Sequence, residues 1–261
     1  MVKKMDRKIT SIVLIACLLC GVGVVLLDQR WVEYGVQSPV MQSPVGTFVL
    51  EAPVPDAPQT APVYTVTGTD TFFKGTPEIM NVRENVPSQE EAPMLAEDAL
   101  APYGGLPKDA VLKDVEVVSL REANTTSGSV EAVYPQWTQV IYTQQVDGMP
   151  VVGPGAEIIV SLGEDGEVLE VSKMWRNLTY ARDVRITPVS EAVDAIQAGN
   201  VIDRPQSPLG YTKITGIALG YYAEDISSPQ KEYTPVWIFS GTEENSGNAV
   251  HVVVEAREHP E

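Results

Sequence analysis

Cysteine is nearly absent from this 261-residue chain, and its two copies, Cys17 and Cys20, both lie inside one apolar run. Everything beyond that run lacks cysteine, so no disulfide staples it and core burial alone must hold it together. A stretch of roughly 200 residues rich in Val, Ile and Tyr is long enough for that. Histidine occurs twice, as His251 and His259, too few for a metal site or a Ser–His triad. His251 reads as an ordinary strand residue on the face opposite Val250, Val252 and Val254. The G-x-S-x-G elbow, the phosphate loop, G-x-G-x-x-G and H-E-x-x-H are all missing. Paired-carboxylate chemistry leaves no linear signature among so many acids. The expectation is a protein that is not an enzyme and that carries no metal and no cofactor.

Positive charge is scarce as well. Eighteen Lys and Arg face 35 Asp and Glu, for a net charge of −17. From Asp28 onward the imbalance sharpens to 34 acidic against 14 basic residues. Such a surface repels nucleic-acid phosphates and anionic lipid heads, which removes both from the partners expected. The acidic loop Glu164-Asp165-Gly166-Glu167 lacks the alternating ligands of a calcium loop and reads as a hairpin turn.

What the chain does have begins with Ile12–Leu27, which carries no charged side chain and follows Lys3, Lys4, Arg7 and Lys8. Residues 9–27 together approach the ~20 residues a helix needs to cross a bilayer core. The one-sided basic flank keeps that end in the cytoplasm. Three readings compete. A retained signal anchor within residues 1–30 fits the length of the run and the lack of an A-x-A site. Cleavage after Gly23 is the second. A lipobox at Leu14-Ile15-Ala16-Cys17 is the third, opposed by ten further apolar residues after Cys17. The anchor is the reading adopted: a single-pass cell-membrane protein whose C-terminal domain is extracytoplasmic.

Residues 31–62 read as a proline-rich linker. Pro39, Pro44, Pro53, Pro55, Pro58 and Pro62 crowd it, and QSPV occurs twice. Extended polyproline at ~3.1 Å per residue would carry the folded part away from the membrane; an edge strand at Thr47–Leu50 is the alternative. Order is expected from Val63, with short strands at Val63–Val66, Thr71–Phe73 and Ile79–Val82. Ser88 and Glu91 form a capping box ahead of a helix that runs through Leu95, Ala96, Ala99 and Leu100 to Gly104-Gly105. Pro93 moves the helix start toward Ala92. Strands follow at Val111–Leu120, Trp137–Val146, Glu157–Leu162 and Val168–Lys173, with Asp147-Gly148 and Asp165-Gly166 as turns. A second helix is punctuated by Thr187 as cap, Pro188 at its first position and Gly199-Asn200 as its stop. Lys213–Tyr222, Thr234–Phe239 and Ala249–Glu255 close the pattern. Trp137 and Trp237 read as core residues of their strands.

Val146–Val171 combines D-G-x-P-V, a glycine-rich step, an apolar strand and D-G-x-V. In this it resembles the hairpins of the PepSY and thermolysin-propeptide family. Thr187–Asn200 looks like that family's short helix, and Ser88–Ala110 like the helix that opens such units. Gly220-Tyr221-Tyr222 and Pro235–Phe239 are similar to the closing strands of membrane-anchored regulators of the YycH/YycI type. The resemblance implies an α+β fold of tandem units, each an antiparallel sheet with one packed helix, placed at 63–185 and 186–261. It also implies activity by protein contact: occluding a peptidase or restraining a sensor kinase. No peptidase follows, which sets the propeptide role aside.

One basic island stands out in the acidic chain. Lys173, Arg176, Arg182 and Arg185 flank Trp175 and Tyr180, and Arg and aromatic residues are favoured at interface hot spots. The bland reading is a connector with solvent-facing charges; the functional one is a contact patch for an acidic partner. Asn124 and Asn177 each open an N-x-T sequon exposed to any extracytoplasmic glycosylation. The expected function is that of a non-catalytic regulator or inhibitor touching a membrane or envelope protein. The alternative is a binding module for a small ligand or envelope polymer.

Overall fold

Alternating Val, Ile and Tyr drive most of this chain into strands, and the strands run longer than the sequence suggests. The structure, a computed structural model, describes residues 40–43, 46–78, 81–123, 129–204, 209–244 and 247–258. The expected anchor, the sequon at Asn124 and His259 lie outside the described residues. Among those described, no helix is long and apolar enough to cross a membrane.

Twelve strands follow in chain order: β1 (Val40–Ser43), β2 (Gly46–Leu50), β3 (Thr60–Lys74), β4 (Ala110–Ala123), β5 (Val130–Val146), β6 (Met149–Val152), β7 (Glu157–Leu162), β8 (Val168–Arg185), β9 (Leu209–Tyr222), β10 (Glu232–Tyr233), β11 (Pro235–Glu243) and β12 (Ala249–Glu255). Two α-helices accompany them, α1 (Ala92–Leu100) and α2 (Val189–Ala198). The strand order is β1-β2-β9-β6-β5-β7-β8-β3-β10, with β4 added to β5, and β11 to β9 and β12.

This corrects the expectation of two antiparallel sheet-plus-helix units. All twelve strands share one mixed, mostly antiparallel sheet. β2 and β6 both join β9 in parallel, through Gly46↔Leu209 and Val151↔Tyr221 among other pairs. β6 leaves its hairpin with β5 after two paired residues and adds to β9 instead. β10 pairs with β3, while β11, one residue later, pairs with β9. The sheet therefore curls until its two arms are bridged by a single stretch of chain. Such pairings join residues far apart in sequence and leave no local signal.

The expected tether also changes. β1 and β2 fall within it, and Phe48 is fully buried in the core beneath α2, worth about 2–3 kcal/mol of apolar transfer. Of the three short segments expected before α1, β3 runs unbroken through the first two. The third, Ile79–Val82, lies partly outside the described residues, and its Asn81 and Val82 are in no strand. The Ser88–Glu91 box forms, with the Ser88 N–H and hydroxyl both donating to the Glu91 carboxylate. It sits one turn ahead of α1, which starts at Ala92 and places Pro93 in the first turn. At α2 the expected cap is displaced. Pro188 takes the cap position, and the Thr187 hydroxyl donates to Ala256 O at 3.2 Å, tying the helix entry to the end of β12.

Each helix covers its own apolar cluster. Ala92, Ala96 and Leu100 of α1 pack on Val140, Tyr142, Ile158, Val160 and Trp175. Val189, Ala192 and Ile196 of α2 pack on Trp237, Phe239, Val252 and Val254. Between them, where the sheet curls, Tyr64, Tyr221 and Tyr233 fill the interior with Val151, Ala156 and Ala223.

Candidate functional site

β8 carries the basic island, and its neighbours decide which residues reach solvent. At Val171–Arg176 one face lies in the core beneath α1, and on the other Arg176 reaches into the loop after β9. Lys173 is buried and pairs with Asp70 at 2.6 Å. The buried Trp175 indole donates to Asp109 Oδ1 at 3.2 Å. Arg176 is 1% exposed. Its guanidinium donates to Glu224 O at 2.7 Å and Asp225 O at 3.0 Å, with Gly155 O and Ser228 O each at 3.4 Å. The other half of the island is exposed. Tyr180 stands edge-on to Tyr64 with ring centroids 6.4 Å apart. Arg182 makes a two-pronged contact with Glu232 at 2.7 and 3.0 Å, which holds the Glu232 carboxyl below its ordinary range. Arg185 is exposed. Asn177 is exposed as well, and its carbonyl accepts from the Thr67 hydroxyl at 3.2 Å. The structure thus brings Lys173, Trp175 and Arg176 into the interior and leaves Tyr180, Arg182 and Arg185 outside.

The interior tyrosines are held as neutral phenols. Tyr64 donates to the Asp147 carboxylate across the curl, and burial, then that carboxylate, raises its pKa. Tyr221 donates to Pro62 O at 2.9 Å and is raised chiefly by burial. Gln144 ties this region to β8 by donating to Asp109 Oδ2 at 2.7 Å and Arg176 O at 3.0 Å. Every one of these contacts holds parts of the sheet together; they are a frame.

A different feature reaches outward. β5 pairs with β7 only over Thr138–Thr143, yet β4 and β5 stay paired out to Ala123 and Val130. Arg83 N donates to Pro135 O at 3.0 Å and closes the flank at the base. Beyond Pro135 the β4–β5 ribbon projects as an arm by roughly 17 Å, at ~3.4 Å per residue. It exposes Val130, Val133 and Tyr134, with Val117 and Leu112 nearer the base. Cross-strand neighbours share a face, so Tyr134 stands beside Leu120 and Val133 beside Arg121. The Tyr134 hydroxyl donates to Glu122 at 3.2 Å, which raises its pKa. Sequence reading did not single out this arm. The available signal was length: β4 and β5 run to 14 and 17 residues against 6 in β7.

A groove of about 580 Å³ opens between α2 and the end of β12, lined by Glu191, Ala195, Asn200, Ile202, Glu255 and Arg257 among others. Arg257 Nη2 contacts Glu255 at 3.0 Å, while its Nε is buried without a protein acceptor. Among the described residues no group of three His, Cys, Asp or Glu side chains is placed to hold a metal ion.

No family model and no curated protein matches this chain, so the PepSY and YycH/YycI-type resemblance finds no support there. Among solved structures, an uncharacterized protein from Eubacterium rectale is similar at 14% identity and a TM-score of 0.36. The match covers 69% of this chain and 58% of that one, so it spans less than two thirds of that protein's length. A likeness at that level carries no argument about fold or function.

Proposed function

We propose that this chain is a membrane-anchored extracytoplasmic domain that works without catalysis, by contact with a membrane or envelope protein that it regulates or inhibits. The anchor and orientation rest on the apolar run with its one-sided basic flank. The contact mode rests on the β4–β5 arm, where Val130, Val133 and Tyr134 are exposed on a two-stranded ribbon. Val130 and Val133 lie together on one face of the ribbon and Tyr134 on the other, and neighbouring exposed apolar side chains are a feature of contact sites. The test is a double substitution, Val133→Glu with Tyr134→Ser, in the full chain. It should leave the far-ultraviolet circular dichroism unchanged and abolish co-purification of the membrane partner. Undiminished co-purification would overturn the reading.

The groove beside α2 favours a second reading, a module for a small carboxylate-bearing ligand, because Arg257 Nε lacks a protein acceptor there. A thermal-shift screen of small carboxylates, repeated on Arg257→Gln, checks it. The reading requires a stabilisation that disappears in the variant.

A further inference from the structure

The arm's charges point to the chemistry of what it touches. Asp114, Glu116 and Glu122 are exposed on β4 and Glu131 on β5. Against them stand Arg121 and Lys113, and Lys113 is already paired with Glu157 at 2.5 Å. The arm is therefore acidic around its exposed Val and Tyr side chains.

The edge of β4 is not uniformly open. Near the base, Val115 N donates to Asp114 Oδ1 and Val115 O accepts from Gln89 Nε2, both at 2.8 Å, while the Ser119 hydroxyl reaches Val117 O at 3.4 Å. These side chains occupy the backbone groups that an added strand would need, a common protection of sheet edges. Beyond Ser119, among the described residues, no side chain caps the outer edge of β4. The open stretch is thus Leu120–Ala123, which contains Glu122 and has Glu116 four residues before it.

A second copy of this chain is a poor occupant, since it would bring the same acidic arm on a molecule of net charge −17. Resting on the contact reading above, we propose that the arm receives an extended, positively charged segment of a different protein. That segment adds along the outer edge of β4 beyond Ser119. It sets its apolar side chains on the face of Val130 and Val133 and its cations on the opposite face, where Glu116 and Glu122 stand with Tyr134, a strand-addition mode with charge selecting the partner.

The experiment has two arms. A photo-crosslinker placed at position 133 of the full chain, with position 167 as control, identifies what lies against the arm in cells. The expected product is a peptide of another protein in which Lys and Arg outnumber Asp and Glu. A crosslinked peptide that is acidic, or that comes from a second copy of this chain, overturns the proposal and leaves the contact reading standing. No protein product from position 133 overturns both. In parallel, a ten-residue peptide of alternating Lys and Val is titrated against the purified full chain. It should bind at least tenfold more tightly than its Glu-Val counterpart. Glu116→Lys with Glu122→Lys should lose that binding at least tenfold, while Glu167→Lys retains it. Equal loss in both variants would show diffuse attraction to an acidic surface and sink the proposal.

Discussion

Two arginines on one strand, six residues apart, do opposite work. Arg182 meets Glu232 in solvent, and Arg176 is sealed inside against four backbone carbonyls. An exposed pair contributes little once screening and side-chain entropy are counted. Asp225 O and Ser228 O keep backbone donors in Ser228 and Gln230. Removing Arg176 takes the donor from Glu224 O and Gly155 O and empties the interior space its side chain fills, at a cost of about 2–3 kcal/mol. Arg176→Ala should therefore lower the urea midpoint strongly, and Arg176→Lys should recover only part of it, because an ammonium cannot span the same fork of acceptors. Arg182→Ala should leave the midpoint nearly in place. Similar midpoints for the two alanine variants would contradict this assignment. Residue chemistry was legible in the sequence here; the strand, expected to end at Lys173, runs on to Arg185, and neither that extension nor the burial was. Residues 173 and 175 share one strand face and 176 takes the other, but nothing local announces that the loop after β9 covers Arg176. Titration follows the same logic. Burial, with Glu97 adding its charge, pushes the Tyr142 phenol up to about 12. The unfolded chain then loses that proton near pH 10 while the folded one keeps it. Stability should be intact below pH 10 and fall as pH rises toward 12. Urea midpoints measured from pH 8 to 12 check the slope, which should flatten in Tyr142→Phe.

At the scale of elements, the sequence placed both helices and five of the longer strands to within four residues, but β5 starts seven residues before the expected Trp137 and β8 runs twelve residues past the expected Lys173. Punctuation made this possible: Gly199 sits at φ 79° where α2 stops, and Asp147 and Gly148 both take positive φ in the β5–β6 turn. What went unread was which element pairs with which. β6 looks like the return strand of a simple hairpin, and its real partner is β9, seventy residues on. Close approach at that joint is enforced by Gly220. A methyl group there would stand 2.4 Å from Pro150 O and 2.5 Å from the Ile238 side chain. Gly220→Ala should cost about 2 kcal/mol through forced displacement of backbone. Gly216→Ala, on the same strand with its nearest neighbour at 3.7 Å, serves as the mild control. Equal destabilisation of the two would mean that the joint tolerates widening.

For the whole molecule, the charge imbalance and the capacity for a disulfide-free core were readable from composition, and the single curled sheet was not. Two units with separate cores would melt separately. Here β2 lends Phe48 to the core beneath α2, and β10 returns to β3, so neither half owns a complete set of partners. Residues 63–185 and 186–261, produced apart, should each fail to give a cooperative transition. The full chain should unfold in one step, with fluorescence and circular dichroism coinciding. Two resolved transitions in calorimetry would refute the shared sheet.

The parallel pairing of β2 with β9 also has a kinetic side. Gly46 meets Leu209, so more than 160 residues must emerge before β2, paired until then only with β1, has β9 to lie against. Contacts of such sequence separation are slow to close. During synthesis Phe48 waits on a two-stranded ribbon with no core to cover it, and that interval is the period of greatest exposure to proteases and to mispairing. The cell must bridge that delay: a holding chaperone would matter most for the first strands of this protein and least for the last.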